Sequence, residues 1–122
     1  MYAQEVPVTR DAEGRLLTSR HAVYDSHDRL AVEIVYGYGV SGVVETRTLR
    51  QYDRQGHLVR EETYTADEYL IYTVDNKYDR QGRLVRTVQT DIDDNGVKSI
   101  SRLEYRYLRD GTRETYLDGK RL

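Results

Sequence analysis

Apolar and polar positions alternate with a period of two along most of this chain. Between Leu30 and Tyr38 the even positions Leu30, Val32, Ile34, Tyr36 and Tyr38 are large and apolar, while the odd ones are mixed. Near the C-terminus Leu103, Tyr105 and Tyr107 alternate with Arg102, Glu104 and Arg106 in the same way. That period places one set of side chains on each face of a β-strand, and the segments are rich in the Val, Ile, Thr and Tyr that strands favour. No segment carries helical spacing. Turn signals fall near 14, 28, 42, 56, 68, 82, 96 and 111, as Asp-x-x-Gly, Asn-Gly or close variants, with a further Asp118-Gly119. An interval of roughly 14 residues is one strand of about nine or ten plus a turn of about four. The reading is an all-β antiparallel meander of eight or nine strands, at 2–9, 15–24, 29–38, 43–52, 57–65, 69–78, 83–92, 97–108 and 112–117. Strands 57–65 and 83–92 carry charge on both faces (Arg60, Glu61, Glu62; Arg86, Asp91), which argues against a deep core. A single-layer or partly curled sheet, held by cross-strand pairs, is expected over one domain, 1–122. Pro7 lies where an edge strand would tolerate it.

Composition narrows the function classes. The 122 residues are 38% hydrophobic and 33% charged, with 19 basic against 21 acidic side chains and a net charge of −2, which argues against the basic surface that nucleic acid or an anionic membrane demands. Cysteine is absent too, which removes disulfides, thiolate metal sites and thiol nucleophiles. The N-terminal residues show no basic region followed by an apolar run, and the stretch from Leu30 to Val44 is interrupted by Glu33 and glycines, so a cytoplasmic protein without a membrane span is expected.

Three segments align: Tyr24-Asp-Ser-His-Asp28-Arg-Leu30, Tyr52-Asp-Arg-Gln-Gly56-His-Leu58 and Tyr78-Asp-Arg-Gln-Gly82-Arg-Leu84; Tyr105-Arg-Tyr107-Leu-Arg-Asp110-Gly111 is a shifted copy. They resemble the YD repeats of rearrangement-hotspot (RHS) and teneurin-type shell proteins, whose motif runs Tyr-x-Tyr-Asp-x-x-Gly-Arg-Leu. The resemblance implies hairpins from a β-sheet that, in the family, spirals into a shell around a toxin. This chain departs from the pattern at Asp28 and His57, spaces its best copies by 26–28 residues, and lacks the family's downstream Pro-x-Gly element. Eight or nine strands cannot enclose a cargo. Two readings follow: a free-standing immunity protein that binds and occludes a cognate bacterial toxin, or a structural segment of such a shell, with edges open to self-association.

Candidate chemistry is sparse. His21, His27 and His57 lack a nucleophile in a strained elbow, and read as turn or strand residues. Asp91-Ile-Asp-Asp-Asn-Gly96 lacks the alternating ligands and closing Glu of a calcium loop, and reads as an Asx-type hairpin turn. Gly37, Gly39 and Gly42 are not followed by a helix that could cradle phosphate; a wide hairpin or bulge displaying Tyr36 and Tyr38 at its tip is expected. No catalytic, metal or cofactor set is expected, and the chain reads as a non-enzyme. The strongest partner-binding candidates are the carboxylates Glu61, Glu62, Asp67, Glu68 and Asp75, interleaved with Tyr64, Tyr69 and Tyr72: an anionic, aromatic surface suited to a 1:1 complex with a basic protein. Of the twelve tyrosines, Tyr24, Tyr52, Tyr78 and Tyr107 occupy the repeat's pre-turn position, where the ring is expected to pack across the hairpin with its hydroxyl in water.

Overall fold

The turn residues set the architecture. One five-residue turn recurs at Asp11–Arg15, Asp25–Arg29, Gly39–Val43, Asp53–His57, Thr65–Tyr69, Asp79–Arg83, Asp93–Val97 and Leu108–Thr112. In each, the first N–H donates to the fifth carbonyl and the fourth N–H donates to the first carbonyl, as in Asp53 to His57 at 2.9 Å and Gly56 to Asp53 at 3.1 Å. The fourth residue takes a positive φ, from 60° at Asp28 to 88° at Gly56 and Gly111. This is a type I turn followed by a left-handed bulge residue, whose twist suits a hairpin. Asp28 and Glu68 adopt that conformation without glycine's freedom, at a cost of about 1 kcal/mol.

In the computed structural model, which describes the backbone of residues 2–122 and the side chains of residues 8–122, these turns separate β1 (Tyr2–Arg10), β2 (Leu16–Tyr24), β3 (Leu30–Tyr38), β4 (Val44–Tyr52), β5 (Leu58–Thr65), β6 (Leu70–Tyr78), β7 (Leu84–Ile92), β8 (Lys98–Tyr107), β9 (Arg113–Leu117) and β10 (Lys120–Arg121). The ten strands form one open antiparallel sheet in chain order. The expected meander and single layer are what the chain adopts; β10 is the added strand, formed because Asp118 and Gly119 both take positive φ in a two-residue hairpin turn. Pro7 falls on edge strand β1, within the pairing irregularity between Val6 and Thr9. Among the described residues no helix is long and apolar enough to cross a membrane.

Successive turns lie at opposite ends of the sheet. The Tyr-Asp motif marks every second hairpin, so its turns, 25–29, 53–57 and 79–83, gather at one end together with 108–112. The spacing of 26 rather than 28 arises at β5, which has eight residues. Thr46 faces Gly37, two residues short of the turn at Gly39, but on its other side faces Thr65, which already begins a turn. The strands from β5 onward are thereby shifted two residues, about 6.6 Å, toward the Tyr-Asp end.

The sheet has almost no apolar core. Among the described residues the buried apolar ones are Ala22 and Val74, and no large side chain is fully enclosed. The exposed area is 8654 Å², against about 6,800 Å² for a globular monomer of 14.3 kDa. Cross-strand polar pairs hold the layer instead. On one face Glu33, only 5% exposed, is opposite Arg50, which is opposite Glu61. Arg20 Nε and Arg50 Nη1 donate to Glu33, the latter at 2.9 Å, Arg50 Nε donates to Glu61 at 2.5 Å, and the Tyr52 hydroxyl donates to Glu33 at 3.3 Å. Burial opposes ionisation of Glu33, yet the Arg50 and Arg20 guanidiniums outweigh it and hold the carboxyl below its ordinary value of 4.5. On the opposite face Arg60 joins Glu62 at 3.2 Å and Asp75 at 2.6 Å.

Candidate protein-binding surface

Each residue of the Tyr-Asp-x-x-Gly-Arg-Leu motif has a physical task at the sheet end. The Asp carboxylate caps its own turn: Oδ1 of Asp25, Asp53 and Asp79 accepts the N–H groups two and four residues onward at 2.8–3.0 Å. At Asp53 desolvation is the largest influence and opposes ionisation, yet the donated bonds and the His57 side chain outweigh it. At Asp25 and Asp79 the backbone bond from the fifth residue leads, with Arg29 and Arg83 adding their side chains against a smaller desolvation, so all three carboxyls lie below their ordinary 3.8. The residue after Gly reaches the Tyr of the next repeat: His57 stacks on Tyr78 at 4.5 Å, and the Arg83 guanidinium lies 4.5 Å from the Tyr107 ring centre. The Tyr hydroxyl in turn donates to the carbonyl of the preceding repeat's Leu, Tyr78 to Leu58 at 2.8 Å and Tyr107 to Leu84 at 2.7 Å. The hydroxyls are thus satisfied by protein rather than left to water, which corrects the expectation from sequence; Tyr52 differs in donating to Glu33. His57 performs the stacking role of the motif's Arg.

The remaining histidines have local partners. His21 meets the Tyr36 ring edge-on at 5.7 Å, and His27 sits in its turn beside Ser26 and Arg29. Asp93 is an Asx cap: its Oδ1 accepts the N–H groups of Asn95 and Val97, each at 2.9 Å. Of the wide hairpin or bulge expected there, the bulge is what forms: Gly39–Val43 is the standard five-residue turn with Gly42 as its left-handed bulge residue and Val40 and Ser41 at the tip. Tyr36 and Tyr38 lie within β3, half-buried, and the Tyr38 hydroxyl bonds Ser19 Oγ at 2.9 Å.

The structure divides the acidic, tyrosine-rich candidate set. Alternation along β5 sends Glu61 to one face and Glu62 to the other. Glu61 shares its face with Tyr72, whereas Glu62, Tyr64 and Asp75 lie opposite. Arginines neutralise most of these carboxylates: Arg50 at Glu61, Arg60 at Glu62 and Asp75, and Arg47 at Glu68, 2.5 Å. Arg47 also lies 4.6 Å from the Tyr64 ring centre. Contiguity in sequence therefore does not yield one anionic face.

A different grouping emerges at the end opposite the Tyr-Asp turns. There the turns 65–69 and 93–97 carry Asp67, Glu68, Asp93 and Asp94, the turn 11–15 adds Asp11 and Glu13, and Arg15 is the only basic residue within these turns. Asp67 and Asp94 make no ion pair or side-chain hydrogen bond among the described residues. Exposed apolar side chains gather at the same end: Val40 (83%), Val43 (63%), Tyr69 (70%) and Val97 (59%). Between the two turns runs a groove of about 600 Å³, floored by Tyr69, Leu70 and Ile92 and rimmed by Asp67, Asp93 and Asp94. The Tyr-Asp end is electrically balanced, with Asp25, Asp28, Asp53, Asp79 and Asp110 against Arg29, Arg54, Arg80, Arg83 and Arg109. Asp93 and Asp94 were missed as binding candidates because, in sequence, they lie far from 61–75; the alternation of turn ends is the signal that unites them with Asp67.

In class, then, the chain is an open, single-layer antiparallel meander with chemically distinct ends. It matches no protein-family model and no curated protein.

Proposed function

We propose that this chain is a non-catalytic protein-binding module, an immunity-type protein that occludes a cognate bacterial toxin in the cytoplasm by forming a 1:1 complex. The observation that carries the reading is the uncovered sheet: its area exceeds that of a globular monomer of the same mass by about 1,900 Å², more than the roughly 800 Å² that one partner contributes to a standard interface. Internal ion pairing of the faces adds to it, because surfaces whose charges are already matched present little net field, while the acidic end can steer a basic partner. The histidines and hydroxyls occupied in stacking, capping and inter-repeat bonds fit a structural role.

The test is expression of the protein encoded beside this chain in a bacterial host, alone and with this chain. Toxicity relieved by co-expression, with recovery of a 1:1 complex, supports the reading; toxicity unrelieved, or relief without a complex, opposes it. A second reading, a structural segment of a YD-repeat shell, is favoured by the Tyr78–Leu58 and Tyr107–Leu84 bonds, which join each repeat to the one before and can propagate a sheet. It predicts concentration-dependent pairing at sheet edges, visible by sedimentation. The short, basic β10 blunts one edge against this.

A further inference from the structure

We infer that the end of the sheet opposite the Tyr-Asp turns is the docking surface, centred on the groove between turns 65–69 and 93–97, and that its occupant is a cationic protein segment carrying an apolar side chain between Lys or Arg residues. The inference rests on the binding-module reading above and gives it a site. The groove combines an apolar floor, Tyr69, Leu70 and Ile92, with three carboxylates at the rim, Asp67, Asp93 and Asp94. No Lys or Arg lines it; Lys98, paired with Ile92 across the β7–β8 ladder, offsets one carboxylate at most, and Arg47, which reaches turn 65–69, is held by Glu68 at 2.5 Å. Among the described residues Asp67 and Asp94 have no ion-pair or side-chain hydrogen-bond partner, so a basic group can approach them without first breaking such a pair, unlike Glu61, Glu62, Glu68 or Asp75. The apolar side chain supplies buried area and the flanking charges supply steering and orientation.

A second copy of this chain does not fit. Its Tyr-Asp end has as many acidic as basic residues, and its exposed large apolar residue there is Leu108 alone among the described residues. The smaller groove of about 310 Å³ at turns 11–15 and 39–43 is a weaker candidate, because Arg15 lies in it and already pairs with Asp11 at 2.6 Å.

The experiment is a backbone-amide NMR titration of the whole protein with a synthetic peptide alternating Arg and Leu, beside an oligoarginine peptide and a peptide alternating Glu and Leu. Shifts confined to residues 65–71 and 92–97 are expected from the Arg-Leu peptide, with weaker binding of oligoarginine and none of the Glu-Leu peptide. The double variant Asp67→Asn, Asp94→Asn keeps turn-compatible side chains at exposed positions, and is expected to weaken binding about tenfold; Tyr69→Ala is expected to weaken it as well. Shifts at the Tyr-Asp end or over the sheet faces, unchanged affinity in the double variant, or equal binding of oligoarginine with Tyr69→Ala silent would each overturn the site. The same double variant tested against the cognate protein separates the two ideas. Undiminished affinity removes the groove and leaves the binding reading intact, whereas failure of the wild type to form a complex removes the reading itself.

Discussion

Replacing Glu33 with Gln probes what holds a sheet that has so little apolar core. Gln keeps the size and one acceptor of the side chain, but removes the charge that Arg20 and Arg50 share, and turns an amide donor toward guanidinium donors. Two charge-assisted hydrogen bonds at about 1.5–3 kcal/mol each give a gross loss of about 3–6 kcal/mol. Arg20 and Arg50 are 32% and 36% exposed, so both recover part of that by turning to water, and Arg50 keeps Glu61. The net expectation is a loss of about 2–3 kcal/mol, or about 8–12 °C in Tm. Urea unfolding followed by far-ultraviolet circular dichroism at about pH 7 reads it directly. The pH dependence follows from the lowered folded-state pKa of Glu33: the wild-type advantage is full above the unfolded value of 4.5 and disappears as pH falls through the lower folded value, where Glu33 itself protonates. A variant within about 0.5 kcal/mol of wild type near neutrality, or a gap that does not shrink on acidification, would refute the ladder as a principal support.

Tyr78→Phe and Tyr107→Phe each delete one hydroxyl that links neighbouring repeats, and should each lower stability by about 1 kcal/mol in the same urea assay, roughly additively because their partners Leu58 and Leu84 differ. Gly82→Ala should cost more than Gly56→Ala: both residues have φ above 80°, but a methyl group at 82 would meet the His57 ring at 3.1 Å while the one at 56 meets nothing. His57→Arg should preserve stability because Arg83 makes the equivalent contact with Tyr107, whereas His57→Ala should cost about 0.5–1 kcal/mol, read as a shift of the unfolding midpoint.

The hairpins were legible because their chemistry is local. The positions at 14, 28, 42, 56, 68, 82, 96 and 111 each take positive φ, including Asp28 and Glu68, where interval rather than residue type was the clue. What pairing brings together was harder to read. Alternation in β3 puts the large apolar Val32 and Ile34 on one face and Glu33 on the other, yet the most deeply buried residue of β3 is Glu33, because long arginines and Tyr52 close over it. The turn positions do encode that arrangement, since they fix the register that sets Glu33 against Arg50 and Arg50 against Glu61. The acidic run at 61–75 looked like a surface because it is contiguous, but a strand sends neighbours to opposite faces. Asp67, Asp93 and Asp94 look unrelated in sequence until the meander brings their turns side by side.

The most direct measurement is the association of this protein with the product of the neighbouring reading frame, the partner that the proposed function requires, recorded by stopped flow from about 50 to about 500 mM salt, with stoichiometry from light scattering. The account predicts a 1:1 complex of nanomolar affinity whose association rate falls at least about tenfold over that range, and a flatter dependence for Asp67→Asn, Asp94→Asn. A monomeric wild-type protein that forms no complex, or one whose association rate ignores salt, would contradict it.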